Sequence, residues 1–190
     1  MIDPAVARRI RLLGLDVDGV LTDNAVYLGV IGGARIEFKR FDIQDGLAMG
    51  IVRNLGIPIA WVSGRVSEAT TLRAVELRVD ELIQDSGARK VPAMEEMLAR
   101  RGIKWSEVAF VGDDLADIPV FRRVGLPIAV GNAVPEAKDL AAYVTSARGG
   151  MGAVREAIEA LLRARGEWDT GVRQYLQERD DVPTGSSLAG

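Results

Sequence analysis

The octapeptide Asp16–Asp23, DVDGVLTD, constrains this chain more than any other stretch. It follows an apolar run, Ile10, Leu12, Leu13 and Leu15, which reads as a buried parallel strand. Gly19 then marks a turn. Two carboxylates, Asp16 and Asp18, therefore stand at the carboxyl end of a core strand, and their alternate spacing puts both on one side of extended backbone. Like charges so placed repel unless a cation or a shared proton relieves them. A hard divalent cation such as Mg²⁺ takes oxygen ligands and also binds phosphate. The competing reading is a plain loop in which one Asp caps a helix and the other faces water. The strand before, the glycine after and the acidic partners downstream favour the site.

Composition narrows the chemistry further. The 190 residues contain no Cys and no His. Thiol nucleophiles, disulfides and Cys-ligated metals are excluded, and so are Ser–His triads and His-ligated centres. Chemistry must rest on Asp, Glu, Lys, Ser, Tyr or Arg, and a metal site must be oxygen-rich, which favours Mg²⁺. A net charge of −3 gives no reason to expect nucleic acid or an acidic membrane as partner. No apolar run is long enough to span a membrane and no signal-peptide pattern opens the chain, so a cytoplasmic protein is expected.

Strand-like and helix-like stretches alternate from end to end. This predicts an α/β fold, a Rossmann-like doubly wound parallel sheet with helices on both faces, in a single domain over residues 1–178. Charged and then Pro-, Gly- and Ser-rich residues 179–190 predict a mobile tail. Between the first strand and its helix, Ala25–Leu28 and Arg35–Phe38 read as two short strands with Gly29, Gly32 and Gly33 as turn residues, a β-hairpin over about 24–40. Such a hairpin is too small for its own core, so it must cover something or meet another subunit. A helix is expected from Gln44 or Asp45 to Leu55, another over Leu115–Arg123, one over Met151–Arg165, and one over Trp168–Gln177. In open parallel sheets ligands bind beyond the carboxyl ends of the strands. Asp16 and Asp18, then Ser63, Gly64 and Arg65, then Asp113, Asp114 and Asp117 all fall there.

Taken in order, DVDGVLTD, VSGR at Val62–Arg65, Lys90 and VGDDLAD at Val111–Asp117 resemble the four motifs of the haloacid dehalogenase superfamily. DVDGVLTD, the hairpin, IQDG at Ile43 and GGMGAVRE at Gly149 resemble most closely its capless 3-deoxy-D-manno-octulosonate 8-phosphate phosphatases. The resemblance runs from about Arg11 to about Leu162.

It implies a fold without a cap domain and a Mg²⁺-dependent phosphatase acting on a small sugar-acid phosphate, first the octulosonate 8-phosphate, with a nonulosonate 9-phosphate or another small sugar phosphate as the alternative and a non-enzymatic binding or scaffold protein on the same fold as the rival. It also implies roles. Asp16 is the nucleophile that becomes an aspartyl-phosphate, and Asp18 is the general acid and base. Asp16, the Asp18 main-chain carbonyl and Asp113 are the metal ligands, with Asp114 or Asp117 supporting them and one of that pair open to a helix-capping role instead. Ser63 donates to phosphate, although a local turn would use the same hydroxyl. Lys90 opens a helix, where a cation opposes the dipole, so an anionic neighbour is expected; phosphate and Asp16 fit, and Arg89 beside it is the solvated one. Asp45, Gly46, Gly64, Arg65 and Arg73 match positions near the substrate, with a plain surface role open for Arg73. The pattern departs from the octulosonate phosphatases at Gln44 and Gly50, where basic residues are expected, and at Glu68. The resemblance further implies a homotetramer in which a neighbour roofs the site.

Overall fold

Eight strands build two sheets in the computed structural model, which describes residues 1–180. In chain order they are β1 Leu12–Leu15, β2 Tyr27–Ile31, β3 Ala34–Phe38, β4 Ile59–Ser63, β5 Glu81–Gln84, β6 Val108–Gly112, β7 Leu126–Ala129 and β8 Tyr143–Val144. Six of them form one parallel sheet in the order β5-β4-β1-β6-β7-β8, while β2 and β3 pair only with each other. Every residue of β1, β4 and β6 is buried, so these strands show no alternation. That is the signature of a sheet covered on both faces.

The covering helices are α1 Pro4–Ala7, α2 Ile43–Asn54, α3 Glu68–Glu76, α4 Lys90–Arg101, α5 Ile118–Phe121, α6 Pro135–Leu140, α7 Ala153–Arg165 and α8 Trp168–Asp180. The chain moves from β1 to β4 in one direction and from β6 to β7 in the other. With one crossover hand, this places the connecting helices on opposite faces. The packing agrees: α2, α7 and α8 contact one another, and α5 contacts both α4 and α6. The direction reverses between β1 and β6, so the crevice for a ligand opens where Asp16 and Asp113 emerge.

Several expected boundaries moved, each for a physical reason. Gly29 lies inside β2, opposite Ile36, and Gly32 and Gly33 alone form the hairpin turn, both at positive φ. Those two adjacent glycines supply what a two-residue turn needs, so no third turn residue is required. Helix α2 starts earlier than expected, because the Asp42 carboxylate caps it by accepting from the Gln44 amide. The Leu115–Arg123 helix is instead a 3₁₀ turn over Leu115–Asp117 followed by the short α5. Asp114 and Asp117 draw that first turn tight by capping it with their own carboxylates. Helix α7 begins at Ala153, after Gly152 at positive φ. Helix α8 continues to Asp180, past the Arg179 start expected for the tail, and Asn54 donates to Glu178 to tie it to α2. Residues 181–190 of the expected tail lie outside the described residues. No helix among the described residues is long and apolar enough to cross a membrane.

Candidate active site

Asp16 is the first residue past β1, and its amide still donates to Val111 of β6. Its carboxylate therefore projects from the middle of the sheet, where it is 6% exposed. Lys90, the first residue of α4, reaches it from the other face. The Lys90 ammonium lies 2.6 Å from Asp16 Oδ1 and 2.6 Å from Asp117 Oδ1. Its Nζ also lies 5.8 Å from the centre of the Phe110 ring, near enough to feel the ring quadrupole. Burial alone would lower the Lys90 pKa; the two carboxylates outweigh it and push it up to about 12. The second Asp117 oxygen accepts the amides of Asp113, at 2.9 Å, and Asp114, at 3.2 Å. Asp117 is thus fully engaged in holding Lys90 and the loop after β6. Asp114 points outward and accepts from the Leu115 amide. Burial sets the two acids apart: Asp117 is within and also caps the turn, while Asp114 is exposed and caps only.

Asp113 completes a set of three buried carboxylates. Asp16, Asp113 and Asp117 each offer an oxygen within 4.8 Å of the others. Asp113 Oδ1 is buried with no hydrogen-bond partner. Gly19 sits against the other oxygen at φ +93°, and a Cβ there would lie 2.0 Å from Asp113 Oδ2. The turn of DVDGVLTD therefore requires glycine for both its backbone angle and its close approach. Burial raises the pKa of Asp113 to about 8, with Asp16 and Asp117 adding to the rise. Burial likewise raises Asp16 to about 7, helped by Asp117 and opposed by Lys90. One ammonium does not neutralise three carboxylates. The residual repulsion, the unpartnered oxygen and the all-oxygen donor set fit a hard divalent cation.

Asp18 faces away from this cluster. Its carboxylate lies 2.6 Å from Lys39 Nζ and 3.6 Å from the Arg65 guanidinium. A contribution of Asp18 to a cation beside Asp16 would have to come from its main chain. Ser63, the last residue of β4, is buried and closes a local turn: its hydroxyl accepts from the Arg65 amide and donates to the Arg65 carbonyl, both at 3.0 Å. The turn that competed with phosphate for this hydroxyl is thus formed, and it aims the Ser63–Arg65 loop at Asp18.

Between the hairpin and α3 lies a cleft of about 870 Å³. Arg35, Lys39, Arg65 and Arg73 line it, together with Glu37, Glu68 and Glu76. Arg73 pairs with Glu76 at 2.7 Å and lies over the Phe41 ring, which stacks on Trp61. Its Nε is buried without a partner. Gly64 lets the strand-end loop pass Ala88, where a Cβ would come within 3.0 Å. Gly46 does the same beneath Arg73 and Leu77. Asp45 is placed elsewhere. It is buried at the start of α2, and its Oδ1 accepts the Arg155 amide at 2.7 Å, capping α7 from outside. Burial raises its pKa to about 6, against the stabilising amides of Arg155 and Gly152. Arg89 is exposed and pairs loosely with Asp85, as expected of the solvated neighbour.

Three site residues escaped the sequence reading. Lys39 and Glu37 come from the hairpin, and the one available signal was alternation, which puts Arg35, Glu37 and Lys39 on one side of β3. Asn132 follows β7; its side chain donates to the Gly19 carbonyl at 3.2 Å and accepts the Gly149 amide at 2.5 Å. It clips GGMG to the DVDGVLTD turn so closely that a Cβ on Gly149 would fall 1.7 Å from the Gly19 carbonyl oxygen.

A family profile of haloacid dehalogenase-like hydrolases matches residues 61–158. The 3-deoxy-D-manno-octulosonate 8-phosphate phosphatase KdsC of Escherichia coli K12 is 41% identical over 172 residues, 90% of this chain and 89% of that protein. The 3-deoxy-D-manno-octulosonate 8-phosphate phosphatase of Moraxella catarrhalis, solved with magnesium ion, phosphate ion and KDO, superposes with a TM-score of 0.84 at 34% identity, over 90% of this chain and 97% of that one. The Yersinia pestis phosphatase of the same name gives 0.81 at 38% identity, over 87% and 88%. With its strand-end acids, buried lysine and capless sheet, the chain belongs to the haloacid dehalogenase superfamily, in the 3-deoxy-D-manno-octulosonate 8-phosphate phosphatase family.

Proposed function

We propose that this protein is a cytoplasmic, Mg²⁺-dependent phosphatase that hydrolyses 3-deoxy-D-manno-octulosonate 8-phosphate through an aspartyl-phosphate on Asp16. The observation that carries the reading is Asp16 itself, a buried carboxylate clamped by Lys90 and grouped with Asp113, one oxygen of which is buried without a partner, at the switch point of the sheet. Asp16, Asp113 and the Asp18 main-chain carbonyl would hold the cation. When bound it supplies the positive charge that lets a carboxylate approach a phosphate dianion.

The steps then follow from the chain's own residues. Asp16 forms a bond to phosphorus as the bond to the leaving oxygen breaks, and Asp18 gives that oxygen its proton. In the second half Asp18 takes a proton from water, the water oxygen attacks phosphorus, and Asp16 leaves as a carboxylate. Lys90 neutralises charge on Asp16 and on the phosphoryl oxygens. The Ser63 hydroxyl turns its proton from the Arg65 carbonyl to phosphate. Arg65 and Arg73, at the floor of the hairpin cleft, pair with the sugar-acid carboxylate. Gln44 is exposed at the start of α2, and Gly50 is part-buried in the same helix. Of the positive charge that basic residues at those two positions would bring, the cleft's own Arg35 supplies a part.

The functional test is phosphate release from a panel of sugar phosphates with Mg²⁺. The octulosonate 8-phosphate is expected to give the highest kcat/KM. A nonulosonate 9-phosphate in first place would move the substrate and keep the mechanism. No release from any ester would end the phosphatase reading.

The resemblance to the octulosonate phosphatases supports a homotetramer, and the hairpin, which exposes Leu28, Val30, Ile31 and Phe38 beside an open cleft, offers the surface for it. Val30 is 73% and Ile31 67% exposed, more apolar surface than a lone hairpin keeps in water. A neighbour's hairpin covers it and closes the cleft to water. Sedimentation of a monomer at working concentration would refute this.

Metal binding should also show in stability. The raised pKa values of Asp16 and Asp113 mean that the metal-free fold keeps protons that the unfolded chain sheds near pH 4. The stability they contribute is present below that value and is lost as pH rises toward 7 and 8. Mg²⁺ replaces those protons, so the rise in Tm on adding Mg²⁺ should be small at about pH 5.5 and several-fold larger at about pH 8. Equal shifts at both values would argue against these two carboxylates as ligands.

A further inference from the structure

The hairpin is built into the acid–base end of the site, and Lys39 is the residue that does it. Its side chain is fully buried, yet it carries an ammonium. That charge meets Asp18 at 2.6 Å and Glu37 at 3.8 Å. Arg65 reaches the same two acids, at 3.6 Å and 3.3 Å. Ser67, the N-cap of α3, donates to Glu37 at 3.3 Å. Two cations and two carboxylates thus form a neutral, mostly buried square in which each charge is offset by its neighbours. Three of its corners come from β3, the loop after it and the loop after β4. The fourth is Asp18.

Asp18 is 20% exposed at its side chain and sits on an irregular loop. A carboxylate so placed samples many directions unless something holds it. The Lys39 ammonium cannot leave the square without stranding a buried charge, which makes it a stiff anchor rather than a mobile substrate contact. Lys39 lies 21 residues from Asp18 and on a different element, so its hold ties the hairpin's position to the direction of the Asp18 carboxylate.

We infer that Lys39 is a positioning residue for Asp18: it fixes the carboxyl group at the leaving oxygen and makes the hairpin part of the catalytic apparatus. This rests on the phosphatase reading above. Lys39 and Arg65 both meet Asp18 through Oδ1, so Asp18 enters a turnover with a proton on its other oxygen, taken from solvent or from the attacking water of the turnover before, and delivers it to the leaving oxygen as that oxygen's bond to phosphorus breaks. A misdirected Asp18 therefore harms esters with poor leaving groups and spares those whose leaving group departs unprotonated.

The test compares kcat/KM for phenyl phosphate and p-nitrophenyl phosphate in wild type and in Lys39→Met, with Mg²⁺ present. The two esters share a ring and have nothing of a sugar acid; they differ in leaving-group basicity. Lys39→Met should lower the phenyl ester by about 10-fold or more and the p-nitrophenyl ester by less than about 3-fold. The p-nitrophenyl rate doubles as a check that the variant is folded. In an Asp18→Asn background, the added Lys39→Met change should cost the phenyl ester almost nothing, because the group it positions is gone. That double variant also removes both members of the closest pair, which keeps the comparison open if the single variant misfolds.

Equal losses on both esters would show a structural role and overturn the inference. So would full additivity with Asp18→Asn, or a loss confined to the sugar-acid phosphate, which would make Lys39 a substrate contact. A wild-type protein inactive on every ester would instead overturn the phosphatase reading.

Discussion

Asp16→Asn is expected to lower phosphate release by about 10⁴- to 10⁶-fold, the scale on which removal of a covalent nucleophile acts. The fold should not suffer with it. Asp16 shares its buried space with Asp113 and Asp117, and one Lys90 faces all this negative charge. An amide of the same shape removes a charge from that crowd, and Lys90 keeps Asp117 at 2.6 Å. The metal-free variant should melt at or above the wild-type temperature, as happens when a residue kept for chemistry rather than stability is neutralised. Single-turnover phosphate release together with thermal melting measures both effects. A residual rate above about a tenth of wild type would exclude Asp16 as nucleophile, since no neighbouring group could replace covalent chemistry at that level.

What could be read before the structure was what is local. β1, β4 and β6 were legible because continuous apolar runs followed by Gly or Asp mark the ends of buried parallel strands. The acids and Ser63 at those ends inherit their place from the strand, so their position on one edge of the sheet follows from topology alone. Lys90 was legible as a cation in a first helical turn, a placement that calls for an anion, and it holds two.

Side-chain direction across long sequence separations was not legible. Asp45 lies in a motif beside the expected substrate positions, yet its carboxylate turns to the Arg155 amide, 110 residues away. Nothing in the spacing of IQDG distinguishes a first-turn acid facing a cleft from one capping a neighbouring helix. Lys39 and Glu37 were hidden in a hairpin whose apolar residues drew attention to its outer surface. Where that hairpin folds back over the sheet depends on Arg65 and Ser67, 28 and 30 residues downstream of Glu37. Asp114 and Asp117 looked equivalent because both can cap a helix. Burial and the reach of Lys90 separate them, and that reach is a property of how α4 packs against β4 and α5.

The same lysine supports the second large effect. Lys90→Met should abolish most activity, by about 10³-fold, and destabilise the metal-free fold by about 3–5 kcal/mol, the cost of breaking a buried ion pair from one side. The two effects can be separated. Asp117 meets Lys90 through one oxygen and the Asp113 and Asp114 amides through the other. In the double variant Lys90→Met/Asp117→Asn, the amide oxygen can keep those two amides while one of the two carboxylates that Lys90 faced, Asp117, loses its charge and Asp16 keeps its own. Removing both partners of a buried pair is far milder than removing one. The double variant should therefore recover a measurable part of the lost stability in urea or thermal unfolding. Activity should stay down, because the phosphoryl group and Asp16 still lack their cation. Mg²⁺ should stabilise the single variant more than the wild type, since it supplies positive charge where Lys90 no longer does. If activity returned together with stability in the double variant, Lys90 would be a scaffold for the loop after β6, and the charge on the phosphoryl group would have to be met by Arg65 or the metal alone.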